Sequence, residues 1–162
     1  MKKIASLLVL TLIISTCLMA CGKQAAKVED KDLDLSAVYD KVIAAQEAPE
    51  SIMMFEETYP ELIEGLYPGL KDVNTEKFAL YTPPITGFAC EICMVKVVDE
   101  KDLETVKKIF QARIDSGISG GACDEEVAEL WKDAQIQEYG KYVAMIVLPP
   151  DCVIPENIFT LE

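Results

Sequence analysis

From Leu33 onward the apolar residues change spacing several times, and each spacing predicts an element. Leu35, Val38, Tyr39, Val42 and Ile43 recur at i, i+3, i+4, i+7 and i+8, the stripe of a helix over residues 34–46. Asp34 or Ser36 can cap it, and Pro49 closes the segment. Ile52-Met53-Met54-Phe55 is a short apolar run; Met and Phe together suit an adaptable surface, but the favoured reading is that they plug the core beneath a loop. Residues 60–67 predict one or two helical turns, with Pro60 in the first turn and Pro68-Gly69 as the stop. Residues 78–82 predict a strand ended by Pro83-Pro84.

Residues 88–98 are apolar on both alternating faces, which predicts a central strand covered from two sides. Asp99 is placed to cap a helix over residues 101–116. Leu103, Val106, Ile109, Phe110 and Ile114 form its buried face, and Gly117 is expected to end it. Residues 117–121 are expected to form a Gly-rich loop before a short helix over residues 124–133, with Val127, Leu130 and Trp131 inward. A hairpin follows: residues 135–138, a turn at Tyr139-Gly140, and a second central strand over residues 141–148. The tail after Pro149-Pro150 is irregular, with Ile154, Ile158 and Phe159 available to dock. This order predicts one α+β domain over residues 33–162, a mainly antiparallel β-sheet with helices packed on it.

The first 32 residues follow another pattern. Met1-Lys2-Lys3 precedes an apolar run from Ile4 to Leu18, then Met19-Ala20-Cys21. A short basic region, an apolar core and a small residue at a cut form a secretory signal over residues 1–20. The cysteine at the cut resembles the lipobox of bacterial lipoproteins. That resemblance implies cleavage by signal peptidase II between Ala20 and Cys21, and a diacylglyceryl group on Cys21. Met19 is bulkier than the usual residue there, and Cys17, behind Thr16, is a poorer candidate. Residues 21–32 would then be the lipidated cysteine and a polar tether, and the domain would sit at the extracytoplasmic face of the membrane. No later apolar run is long enough to span a bilayer, so the lipid is the expected anchor.

Charge narrows the partners. Lys2 and Lys3 are two of the 15 basic residues and no acid precedes Glu29, so residues 21–162 carry 13 basic against 28 acidic groups, a net −15. Such a surface repels nucleic acid and anionic lipid headgroups. The chain has no histidine, which removes Ser-His-Asp and Cys-His catalysis, His-ligated zinc or haem, and His-based pH sensing.

With Cys21 acylated, Cys90, Cys93, Cys123 and Cys152 remain as candidates for disulfides or a metal. Cys90-Glu91-Ile92-Cys93 has the C-x-x-C spacing, but in a strand an odd separation sends the two side chains to opposite faces. A redox C-x-x-C belongs at a helix N-terminus, and structural zinc wants a second paired knuckle that is missing here. If the two central strands pair antiparallel, the favoured disulfide is Cys90 with Cys152, leaving Cys93 and Cys123; buried free thiols are the other outcome. The loop at Gly117, Gly120 and Gly121 lacks P-loop chemistry, because Asp124, Glu125 and Glu126 already occupy the following helix start. Glu91, inside an apolar strand, is either an acid/base or half of a structural ion pair with Arg113 or Lys141, and the ion pair is the favoured reading.

Several of these stretches together resemble the family known as domain of unknown function 4358. They are the lipobox, Asp34-Leu35-Ser36-Ala37-Val38-Tyr39-Asp40-Lys41-Val42, Ala89-Cys90-Glu91-Ile92, Arg113, and Gly140-Lys141-Tyr142-Val143, spanning residues 33–148 beyond the lipobox. The resemblance implies a small lipoprotein of Gram-positive bacteria and lends a fold and a location, not an activity. The chain departs from the pattern at Cys90, where an acidic residue is expected before Glu91, and in the short Gly-rich segment between the last two helices. The expected function is therefore a non-catalytic, lipid-anchored surface protein that binds an unidentified partner or ligand, with no cofactor beyond the lipid on Cys21. The alternative is a metal- or thiol-dependent envelope protein using Cys90, Cys93, Cys123 and Cys152.

Overall fold

The computed structural model describes residues 31–84, 90–120 and 125–162. The signal, Ala20, Cys21 and the tether up to residue 30 lie outside the described residues, as do Phe88, Ala89, Gly121, Cys123 and Asp124. Five strands form one antiparallel sheet: β1 (Phe55–Glu56), β2 (Thr75–Thr82), β3 (Glu91–Val97), β4 (Gln135–Tyr139) and β5 (Tyr142–Val147), in the order β1-β2-β3-β5-β4. The two sequences apolar on both faces, β3 and β5, lie inside the sheet. They pair from Glu91 opposite Val147 to Lys96 opposite Tyr142.

Each face of the sheet is covered. On the first face, α1 (Leu35–Ala44) and the C-terminal tail pack against Ala79, Tyr81, Ile92, Met94, Ala144 and Ile146. On the second, α2 (Pro60–Leu66), α3 (Leu103–Gly120) and α4 (Glu125–Lys132) pack against Leu80, Cys93, Val95, Val97, Val143 and Met145. The α1 stripe buries Leu35, Val38 and Val42, and Asp34 caps the helix by accepting from the Ser36 amide at 3.0 Å. Tyr39 stacks on Tyr81 with ring centres 3.7 Å apart. The domain is thus α+β, an antiparallel sheet with helices on it.

Four expectations need correction. Gly117 does not end α3, which runs on to Gly120. A Cβ on Gly117 would overlap the Trp131 ring, so this glycine serves close packing of α4 on α3 instead of a helix stop. The stretch from Gly117 to Gly120 is therefore helix and not loop. The hairpin turn is Gly140-Lys141, with Gly140 at φ 57, because Tyr139 still pairs with Tyr142. Finally, the run from Ile52 to Phe55 divides by alternation: Ile52 and Met54 are buried, whereas Met53 and Phe55 are each 60% exposed.

The tail is held by two buried glutamines. Gln46, at the end of α1, accepts from the Val153 amide (2.9 Å) and donates to the Val153 carbonyl (3.0 Å). Gln137 of β4 donates to the Pro155 carbonyl (2.7 Å) and accepts from the Ile158 amide (2.9 Å). These contacts seat Ile158 and Phe159 in the core beside Tyr142.

Candidate functional site

Two polar assemblies lie at opposite ends of β3, one on each face. Glu91 opens the strand and is only 3% exposed. Arg113, on the inner side of α3, meets it side-on: Nε donates to Oε1 at 2.9 Å and Nη2 to Oε2 at 2.6 Å. The Tyr67 hydroxyl donates to the same Oε1. Tyr67 itself is fully buried at the end of α2, where Pro68 and Gly69 (φ 86) turn the chain away, and its ring meets Phe110 edge-on at 5.7 Å. Arg113 completes the arrangement by lying over the Trp131 ring, 4.3 Å from its centre. One carboxylate thus ties together α2, α3 and β3, and its cation packs on α4.

The electrostatics follow from this enclosure. Burial pushes the Tyr67 phenol well above its ordinary range, and the nearby Cys93 and Glu91 push the same way. Burial also raises the Cys93 thiol, with Glu91 adding to it. Burial opposes the Arg113 charge, but hydrogen bonding and attraction to Glu91 outweigh it and raise that group. Both Glu91 oxygens accept hydrogen bonds. Three donated hydrogen bonds from Arg113 and Tyr67 on one buried carboxylate are the arrangement of a structural ion pair, the favoured reading of Glu91.

Lys141 is not part of this group. It sits in the β4–β5 turn, about 20 Å along the strands from Val147, the partner of Glu91. There its carbonyl accepts from the Val97 amide at 3.0 Å.

The second assembly surrounds the start of the domain. A register shift between Thr75 and Lys77 of β2 puts Lys77 directly opposite Lys96 of β3. Two ammonium groups so placed repel, and Asp32 answers both: its Oδ1 lies 2.7 Å from Lys77 and 3.5 Å from Lys96. Glu76 adds a 2.9 Å contact to the buried Lys96, and Lys96 also lies over the Tyr142 ring. Leu33 is clasped by its backbone, its amide donating to the Tyr142 hydroxyl (2.9 Å) and its carbonyl accepting from Lys77 (2.7 Å). Lys77 and Asp32 shift each other toward their charged forms, chiefly through their hydrogen bond.

The cysteines divide between the faces. Cys90 belongs to the first core and Cys93 to the second, so the sheet separates them and no single metal ion can be held by both. Among the described residues no group of three or more Cys, Asp or Glu side chains is placed to hold a metal ion. Cys90, Cys93 and Cys152 are free thiols in this structure. Burial raises the Cys90 thiol to about 12, with Cys152 and Glu91 contributing.

Sequence reasoning ranked a surface role for the run from Ile52 to Phe55 second to a core plug, and the structure exposes half of it. Met53 and Phe55 (60% exposed), Tyr59 (72%) and Leu62 (45%) present large apolar side chains within one ten-residue stretch at the sheet edge and the start of α2. The period-two alternation from Ile52 to Phe55 was the available signal. Between Val42 and Leu70 the chain carries six glutamates and no lysine or arginine. This edge is reached about 17 Å along β2 from Lys77, toward the end away from the Asp32 clasp.

A five-stranded antiparallel sheet with a sealed ion pair and an exposed acidic-apolar edge defines a small α+β domain. The family model described as Domain of unknown function (DUF4358) matches residues 50–148, and the chain belongs to that family. No curated protein and no solved structure matches the chain. Among the described residues no helix is long and apolar enough to cross a membrane.

Proposed function

We propose that this chain is a lipid-anchored extracytoplasmic lipoprotein whose domain docks a basic, apolar surface of a protein partner without catalysing a reaction. Residues 1–20 act as the signal, Cys21 carries the lipid, and residues up to Lys31 form the tether. The observation that carries the reading is the row Met53, Phe55, Tyr59 and Leu62, exposed on a folded domain whose core has ample apolar residues of its own. Methionine and aromatic side chains are what adaptable protein interfaces use. The surrounding glutamates select a basic partner and repel both anionic lipid and a second copy of this acidic chain.

The test has two parts. Cys21→Ser is expected to leave the protein unprocessed or released on cell fractionation; full processing with membrane retention overturns the anchor. A photo-crosslinking residue placed at Phe55 or Tyr59 is expected to give one common adduct, absent when it is placed at the exposed Val98 or Val153. Adducts that are identical at all four positions, or absent from all four, overturn the docking surface.

A further inference from the structure

We propose that Cys90 and Cys152 form an intramolecular disulfide that staples the C-terminal tail to the start of β3. Glu91 pairs with Val147, so the positions that continue the pairing are Cys90 and Leu148, and both are buried in the first core. The chain then reverses: the Cys152 amide donates to the Pro149 carbonyl at 3.0 Å, closing a four-residue turn. Such a turn brings its first and last Cα atoms within about 7 Å. Cys152 is thereby returned toward the position opposite Cys90, and its side chain packs against the same core. The two thiols are near enough for Cys152 to raise the Cys90 thiol electrostatically. Cys93 faces the opposite side of the sheet and cannot compete for either partner.

Access sets the order of events. Cys152 is half-buried and lines a small recess of about 60 Å³ with Asp133, Leu148, Pro149 and Ile154. It is therefore the sulfur that meets a small-molecule disulfide of the glutathione type first. The Cys152 thiolate attacks one sulfur of that reagent, forms a mixed disulfide and expels one thiolate. The Cys90 thiolate then attacks the Cys152 sulfur and expels the second. Two protein thiols lose two protons and two electrons, and the reagent is reduced to two thiols. Because the Cys90 thiol is held well above neutrality, the second step is slow in the folded protein and fast in a chain that is still folding. A thiol of that kind is also a poor leaving group, so the finished bond resists reduction. These properties are those of a structural bond and not of a redox catalyst.

The full chain, held in mild detergent, is unfolded in urea with reductant and refolded in a mixture of oxidised and reduced glutathione. Free thiols are then blocked with N-ethylmaleimide in urea, which exposes the buried Cys93. Trypsin with a glutamate-specific protease cuts after Lys77, Glu91, Lys96 and Lys141, which separates Cys90 from Cys93 before mass spectrometry. The expected result is a linked peptide pair containing Cys90 and Cys152, with Cys93 blocked by the reagent. The linked protein should also have a higher urea midpoint than the same protein after reduction, a difference absent from Cys152→Ser. Cys90 and Cys152 both blocked, or Cys152 linked to a cysteine other than Cys90, overturns the proposal.

Discussion

Removing the charge of Arg113 tests whether the Glu91 assembly holds the domain together. Arg113→Met keeps an unbranched stem and deletes the guanidinium. Glu91 Oε2 then loses the Arg113 donor, while Oε1 retains the Tyr67 hydroxyl. Breaking a buried ion pair by removing one partner costs about 3–5 kcal/mol, because the remaining charge is left without compensation. Arg113 keeps 15% of its side chain exposed and so admits some water, which places the loss near the lower end, about 3 kcal/mol. For a chain of this size that is a fall of roughly 6–12 °C in Tm.

The triple variant Tyr67→Phe, Glu91→Met, Arg113→Met removes every polar member together and should recover to within about 1 kcal/mol of the parent. Urea and thermal unfolding, followed through Trp131, the only tryptophan, measure all three proteins. A loss below about 1 kcal/mol in the single variant, or a triple variant no better than the single, refutes the reasoning.

Two further outcomes follow from the same structure. Gly117→Ala would gain about 1 kcal/mol in an open helix. Here its methyl group meets the Trp131 ring, so unfolding experiments should show a loss of about 1–3 kcal/mol and an altered Trp131 emission. In the reduced protein, stability should be level from about pH 7 to about pH 9 and fall above it. The Cys90 thiol rises from its ordinary 9.0 to about 12, and Cys93 and Tyr67 are also raised. The folded state therefore keeps protons that the unfolded chain gives up, and each such group removes up to about 1.4 kcal/mol per pH unit. Urea midpoints between pH 7 and 11 measure this, and a flat profile would contradict the burial of these groups.

Much of the architecture was legible because it rests on periodicity. The 3.6-residue stripe from Leu35 to Ile43 and the two-sided apolar runs of β3 and β5 carry their burial in their own composition. The errors arose where a residue's role depends on a partner distant in sequence. Gly117 has the composition of a helix stop, and only the approach of Trp131 makes it a packing site. Glu91 was legible as a buried carboxylate, but Tyr67 precedes it by 24 residues, and nothing local marks that hydroxyl as its donor. The roles of Gln46 and Gln137 were hidden for the same reason: each bonds the backbone of a tail that has no pattern of its own. The Asp32 clasp depends on a register shift in β2 that no local sequence feature announces.

The clasp has a mechanical consequence. Tension applied through the residues before Asp32 enters the domain at Lys77, Lys96 and Tyr142, on β2, β3 and β5, which are interior strands. Asp32 is 72% exposed, so its contacts are screened by salt and yield first. The load then falls on the Leu33 amide and the Tyr142 hydroxyl, and behind them on a fully bonded sheet. A pull through the proposed tether would meet a weak link in series with a strong body, and would free a residue or two before it deforms the fold.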